Sequence, residues 1–313
     1  MVHVAIVGTG RVGSALAYTL AFKPFVDELS LADIVPKLAE MVKEDVYHGI
    51  SQYGINKKIN AYEHSKFIEN ADLIVISAGF PRTPDMTRRD LADKNAQIMK
   101  EVVEATLDNN PKAWYFVITN PVDAMTTLVN KVAGGKRKVI GTGTNLETSR
   151  FRIIIARELG IPVSSVEAYV GGEHGKEATL LWSTVYIEGK PLDEYLAETG
   201  KTLDKSKVEG YVKGISVEII RATGGTRWGP AGSFTEIIRG ITLNTGRVLS
   251  YSLPRKLGNV PEPVYVTVPA RIGKSLGPDI WDRLSEDERA GIVKATEAIY
   301  GTYKRSLEVC GLA

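Results

Sequence analysis

Apolar runs and amphipathic stretches alternate through the first half of the chain. Residues 2–7 form a short β-branched run, and residues 14–20 carry apolar side chains at helical spacing. The alternation continues with strands expected at 28–33, 58–61, 72–77, 113–118 and 138–140. Helices are expected between them at 35–52, 65–69 and 91–109. Strands separated by helices predict an open parallel sheet with helices on both faces. Beyond residue 143 the texture changes. Helices at 146–159, 204–223, 229–245 and 285–307 mix with strand-like pieces at 165–170, 179–184, 185–187, 248–252 and 263–268. Two domains are therefore expected: 1–143, an α/β doubly wound parallel sheet, and 144–313, an α+β unit.

The link between the first strand and first helix carries the first chemistry. It reads Gly8-Thr9-Gly10-Arg11-Val12-Gly13. Gly8 permits the tight turn, Gly10 lets backbone approach a pyrophosphate, and Gly13 lets the helix pack on the strand. The helix N-terminus offers unpaired N–H groups to phosphate. Asp33 ends the second strand, 20 residues after Gly13. A carboxylate there accepts hydrogen bonds from ribose hydroxyls and repels a 2′-phosphate, which favours NAD over NADP. Lys37 is the nearest cation and leaves room for weak NADP tolerance. This half is thus expected to be a Rossmann-type NAD-binding domain.

Composition narrows the partners. The chain has 313 residues, 39 basic against 37 acidic, a net charge of +2 and 43% hydrophobic residues. That balance argues against nucleic acid or an acidic membrane surface as partner. No apolar run is long enough for a membrane span, and Met1 leads directly into a strand-like run rather than a leader. A cytoplasmic protein is expected. Cys310 is the single cysteine, which excludes an internal disulfide framework and a cysteine-cluster metal site. No metal is expected.

Candidate acid/base and binding groups follow the strand ends. Ala78 and Gly79 close the strand at 72–77, on the edge that faces the ligand crevice of such a sheet. The loop 79–90 then carries Arg82 and Arg88, six apart, which suits an acid with two carboxylates, or one carboxylate and a carbonyl. Asn95 lies on the first turns of the next helix. Ile118 and Thr119 end another strand, and Asn120 follows, placed to bond a nicotinamide or substrate oxygen or to cap the helix opened by Pro121. His174, one of four histidines, sits among Gly171, Gly172 and Gly175. An imidazole can give or take a proton near neutral pH.

Taken in order, these landmarks resemble the lactate/malate dehydrogenases over essentially the full chain. The matching segments are the glycine string 8–13, Asp33, 77–79, Pro81-Arg82 to Arg88, Thr119-Asn-Pro-Val-Asp123, Asn145-Leu-Glu-Thr-Ser-Arg150 and Gly172-Glu-His-Gly175. The resemblance implies His174 as acid/base and Arg150 as the clamp on the C1 carboxylate. It implies Arg88 as the loop arginine polarising the reacting carbonyl, and Asn120 as a shared cofactor and substrate contact. Arg82 stands at the specificity position, where arginine is typical of malate-specific members and glutamine of lactate-specific ones. Pro230 is also malate-type. The implied reaction is reversible NAD-dependent oxidation of (S)-malate to oxaloacetate, with L-lactate or another 2-hydroxy acid as alternative. Glu147 replaces the usual aspartate behind the histidine, and Lys176 stands where aspartate is common. We expect Glu147 to accept a hydrogen bond from the His174 ring. The family forms dimers or tetramers, and a homotetramer is favoured. Two further classes are an NAD-dependent glycosidase on a similar fold and a non-catalytic dinucleotide-binding protein. Cys310 at the tail opposes the first, and retention of His174, Arg150, Arg88 and Asn120 opposes the second.

Overall fold

A computed structural model describes residues 1–80, 88–175 and 177–313, with the Arg88 side chain outside the description. The first half runs β1 (His3–Val7), α1 (Arg11–Ala21), β2 (Glu28–Ala32), α2 (Leu38–Ser51), β3 (Lys58–Tyr62), β4 (Leu73–Ile76), α3 (Arg88–Thr106), β5 (Trp114–Val117), α4 (Val122–Val132) and β6 (Val139–Gly141). Its strands pair in parallel in the order β3-β2-β1-β4-β5-β6. The central strands β1, β4 and β5 are buried on both faces because helices cover both. Leu16 of α1 and Val46 of α2 pack on one side, and Met99 of α3 and Leu128 of α4 on the other. This is a Rossmann-type doubly wound sheet, and it is followed by an α/β unit.

The second half runs α5 (Asn145–Leu159), β7 (Val166–Gly172), β8 (Ala178–Ile187), β9 (Lys190–Pro191), α6 (Leu192–Thr199), α7 (Lys205–Thr223), α8 (Trp228–Thr242), β10 (Val248–Leu249), β11 (Ser252–Arg255), β12 (Val264–Thr267), β13 (Ala270–Arg271) and α9 (Glu286–Cys310). Most of its strands join the sheet of the first half. Ser252 of β11 pairs antiparallel with Gly141 of β6, and Thr267 of β12 pairs with Gly172 of β7. Among the described residues, one sheet of eleven strands therefore runs through both halves, with β10 and β13 as a small ribbon.

Several boundaries differ from the sequence expectations. Residues 179–184 and 185–187 are one strand, β8, which stays paired with β7 on both sides of a register shift between Glu167 and Tyr169, with Val185 and Ile187 buried beyond it. The helix expected from residue 35 starts at Leu38, since Lys37 takes a left-handed conformation with φ 62°. That expected from 91 starts at Arg88, so Arg88 is helical rather than part of the loop. The strand expected at 248–252 divides between β10 and β11, which belong to different sheets. The short helix α6 had no counterpart in the expectations.

Candidate functional site

The cofactor side lies where β1 and β4 adjoin and the chain connections diverge to opposite sides, the usual ligand crevice of this fold. Gly8 has φ 93°, and a Cβ there would meet the Ala78 backbone nitrogen at 2.4 Å. A Cβ at Gly13 would meet the Gly8 carbonyl oxygen at 1.9 Å. Gly10 differs: a Cβ there would meet nothing within 4 Å. It is exposed at the N-cap of α1, which has no side-chain cap and no acidic residue in its first turn. The open space and the uncapped N–H groups fit a dinucleotide pyrophosphate.

Thr9 is buried behind this turn and donates its N–H to Asp33 Oδ2 at 2.7 Å, while Val35 N–H donates to Asp33 Oδ1 at 3.0 Å. Asp33 lines a 290 Å³ cavity with Lys37, Lys43 and Tyr62. Arg11 is exposed and donates to the Thr223 carbonyl at the end of α7. Val12 and Ile118 are half-buried against the core beneath the turn. Thr119 donates its hydroxyl to the Ala78 carbonyl at 2.7 Å. Asn95 is buried and holds the strand ends together. Its Oδ1 accepts from Phe80 N–H and its Nδ2 donates to the Asn120 carbonyl, both at 2.7 Å. A Cβ at Gly79 would meet Thr119 at 2.8 Å, so this edge is closely packed. The Asn120 side chain neither caps α4, whose N-cap is Pro121, nor is buried. It lines the same 830 Å³ cavity as His174.

The side that carries His174 is built on α5 and the β7–β8 turn. Thr148 locks these elements, accepting from Val170 N–H at 3.0 Å and donating to Ser250 Oγ at 2.8 Å. Asn145 bonds Ser233 Oγ at 2.9 Å. Gly172, with φ 84°, turns the chain out of β7. Glu147, buried on α5, then stands 3.1 Å from His174 Nδ1. Arg150, one turn along α5, approaches the same carboxylate at 3.4 Å. Burial opposes charge on His174, but the Glu147 carboxylate, its hydrogen bond and Asp123 outweigh it and raise the ring to about 9, against Arg150. Burial likewise opposes charge on Glu147, yet His174 and Arg150 hold its carboxyl below the usual range.

Asp123 carries no role of its own in the sequence reading, where it only closes the Thr119–Asp123 segment. In the fold it is fully enclosed, and its Oδ2 accepts from the His174 backbone N–H at 2.8 Å. An acid just after Asn-Pro was the available signal. Arg150 opens instead into a 490 Å³ cavity lined also by Leu146, Thr226, Trp228 and Pro230. His174 and Arg150 are thus joined through Glu147 but line different cavities. Arg82 and Lys176 lie outside the described residues, as does the Arg88 side chain.

Two family models match. The model for the lactate/malate dehydrogenase NAD-binding domain covers residues 2–141, and that for the lactate/malate dehydrogenase α/β C-terminal domain covers 144–305. The chain is 39% identical to malate dehydrogenase of Sulfolobus acidocaldarius, over 98% of each chain. It is 32% identical to L-lactate dehydrogenase of Thermus aquaticus, over 95% of this chain and 97% of that one. Among solved structures it superposes on a lactate dehydrogenase from a Medee basin deep-sea metagenome with TM-score 0.89 and 28% identity, over 97% of this chain and 98% of the other.

Proposed function

Because the chain belongs to the lactate/malate dehydrogenase family, we propose that its substrate pair is (S)-malate and oxaloacetate, interconverted with NAD as (S)-malate + NAD⁺ ⇌ oxaloacetate + NADH + H⁺. NAD, when bound, supplies the hydride acceptor or donor. Gly8 to Gly13 and Asp33 would hold it, with Asn95 and Thr119 keeping the adjoining strand ends in place. The carboxylate at Asp33 disfavours a 2′-phosphate, while Lys37 and Lys43 around the same cavity offset part of that, so NADP is weakly tolerated.

His174 moves the proton. An ionised Glu147 accepts from Nδ1–H, so Nε2 faces the substrate oxygen and is the atom that gains or loses it. With the ring raised to about 9, Nε2 carries a proton at neutral pH and is ready to donate to the ketone oxygen of oxaloacetate. Donation coincides with growth of negative charge on that oxygen, so it stabilises the transition state more than the ground state. Arg150, linked to His174 through Glu147 although it opens into the neighbouring cavity, binds the C1 carboxylate of the same substrate as a bidentate partner. Arg88 assists at the carbonyl.

The observation that carries the dicarboxylate reading is Arg82. It offers the C4 carboxylate a charged partner, whereas the methyl group of pyruvate leaves it unpaired. Similarity to the Sulfolobus acidocaldarius malate dehydrogenase adds support. Loss of a buried charge pair costs about 3–5 kcal/mol, on the order of 100-fold or more in rate. Arg82→Gln is therefore expected to lower kcat/KM for oxaloacetate by that factor and to raise it for pyruvate. An Arg82→Gln enzyme that keeps the wild-type ratio would refute the reading.

A further inference from the structure

We propose that Asp123 is a positioning residue for His174. Its carboxylate fixes the backbone of the histidine-bearing turn and sets a second negative charge near the ring, while Ser252 anchors the carboxylate. The kinetic part of this proposal rests on the dehydrogenase reading above; the rest does not.

The geometry is specific. Asp123 sits on the first turn of α4 with 1% exposure. Its Oδ2 accepts from His174 N–H, and its Oδ1 accepts from the Ser252 hydroxyl. Neither bond serves α4 itself. Ser252 is the β11 residue that pairs with Gly141, so the anchor lies where the parallel strands meet the antiparallel ones. Asp123 thereby ties three elements to the proton-carrying group: α4, the junction strand β11 and the β7–β8 turn.

Hydrogen bonding alone does not call for an acid here. An asparagine would present Oδ1 to the His174 N–H and Nδ2 to the serine oxygen. Burying a carboxylate is costly, and burial indeed pushes Asp123 up to about 6 despite help from Ser252 and His174. What the charge adds is attraction for a protonated ring. Glu147 on α5 adds to it, and Arg150 opposes it. Among the described residues, the other charged groups around the cavity are Glu173 in the turn, Arg89 and Asp93 on α3, and Arg305 on α9, with Asp93 and Arg305 paired at 3.0 Å.

The test uses the full chain. Histidine-labelled protein is titrated by NMR, with His174→Asn identifying the His174 signal among the four histidines. Asp123→Asn keeps the fold but lowers the His174 titration midpoint by roughly one pH unit, since a close opposite charge moves such a midpoint by ~1–3 pH units. The alkaline limb of kcat/KM for ketone reduction moves down by the same amount, with KM nearly unchanged. Asp123→Ala loses the turn as well, and Asp123→Asn recovers most of its activity at low pH. As a second handle, Ser252→Ala speeds hydrogen exchange of the His174 amide by at least about tenfold, because the acceptor is no longer held. An unmoved His174 midpoint in Asp123→Asn, or an unchanged amide exchange rate in Ser252→Ala, overturns the proposal. A protein that reduces neither oxaloacetate nor pyruvate would sink the functional reading while the NMR and exchange results still decide this one.

Discussion

At the residue scale, Glu147 joins His174 and Arg150 into one cluster. Glu147 replaces the shorter acid usual in the family, yet its oxygen still reaches His174 Nδ1 at 3.1 Å. The longer side chain therefore keeps the contact. Its main effect is electrostatic: burial by itself pushes the ring toward neutrality, and the carboxylate reverses that. Glu147→Gln removes the charge but keeps the shape. The His174 ring should then titrate well below 9, and the alkaline fall in kcat/KM for ketone reduction should move to lower pH. Reduction needs the protonated ring, so the loss is largest above neutrality. It reaches about tenfold at pH 8 once the midpoint lies near about 7, where roughly one ring in ten is protonated. The opposite reaction needs a neutral ring and suffers less at that pH. A pH profile for Glu147→Gln that overlays wild type would contradict this account. The sequence made the pairing legible because both residues sit in short, recognisable segments. Asp123 was not legible as a partner: its contact with His174 spans 51 residues, and nothing local marks which of two elements an acid will face.

At the element scale, the strand-turn-helix at residues 3–21 separates two kinds of glycine. Gly13 is needed by the fold, because a side chain there collides with the Gly8 carbonyl. Gly10 stands in open space beside an uncapped helix end, where only a ligand gives it a reason. Gly13→Ala should lower the unfolding temperature by several degrees, as overpacking costs about 1–3 kcal/mol. Gly10→Ala should unfold at the wild-type temperature but bind NADH at least about tenfold more weakly, measured by NADH fluorescence titration. Wild-type NADH affinity in Gly10→Ala, or wild-type thermal stability in Gly13→Ala, would reverse the assignment. Element type was readable here because apolar periodicity is strong and glycine punctuates it. Boundaries were less so. Nothing in the side chain of Lys37 announces its left-handed backbone, and the division of 248–252 between β10 and β11 is decided by partners distant in sequence. Asn95 shows the same limit: its helix was expected, but its use as a brace between Phe80 and Asn120 depends on tertiary placement.

At the scale of the whole molecule, the two halves act through one sheet. The parallel strands present the cofactor edge, and β11 carries hydrogen bonding across to β12 and β7, ending in the turn that bears His174. Among the described residues no helix is long and apolar enough to cross a membrane. The alternation of strands and helices made the first half legible as a doubly wound sheet. That the second half would extend the same sheet was not, because antiparallel joins such as Ser252 with Gly141 leave no periodic signature. This shared sheet joins the cofactor edge to the turn that bears His174, with Glu147 and Arg150 of α5 beside it. Its purpose under our reading is hydride transfer to a 2-oxo dicarboxylate. The most direct test is kcat/KM for oxaloacetate against pyruvate, measured with NADH at about pH 7 on the purified wild-type protein. We predict that oxaloacetate is favoured on the order of 100-fold or more. Equal or better use of pyruvate would contradict it.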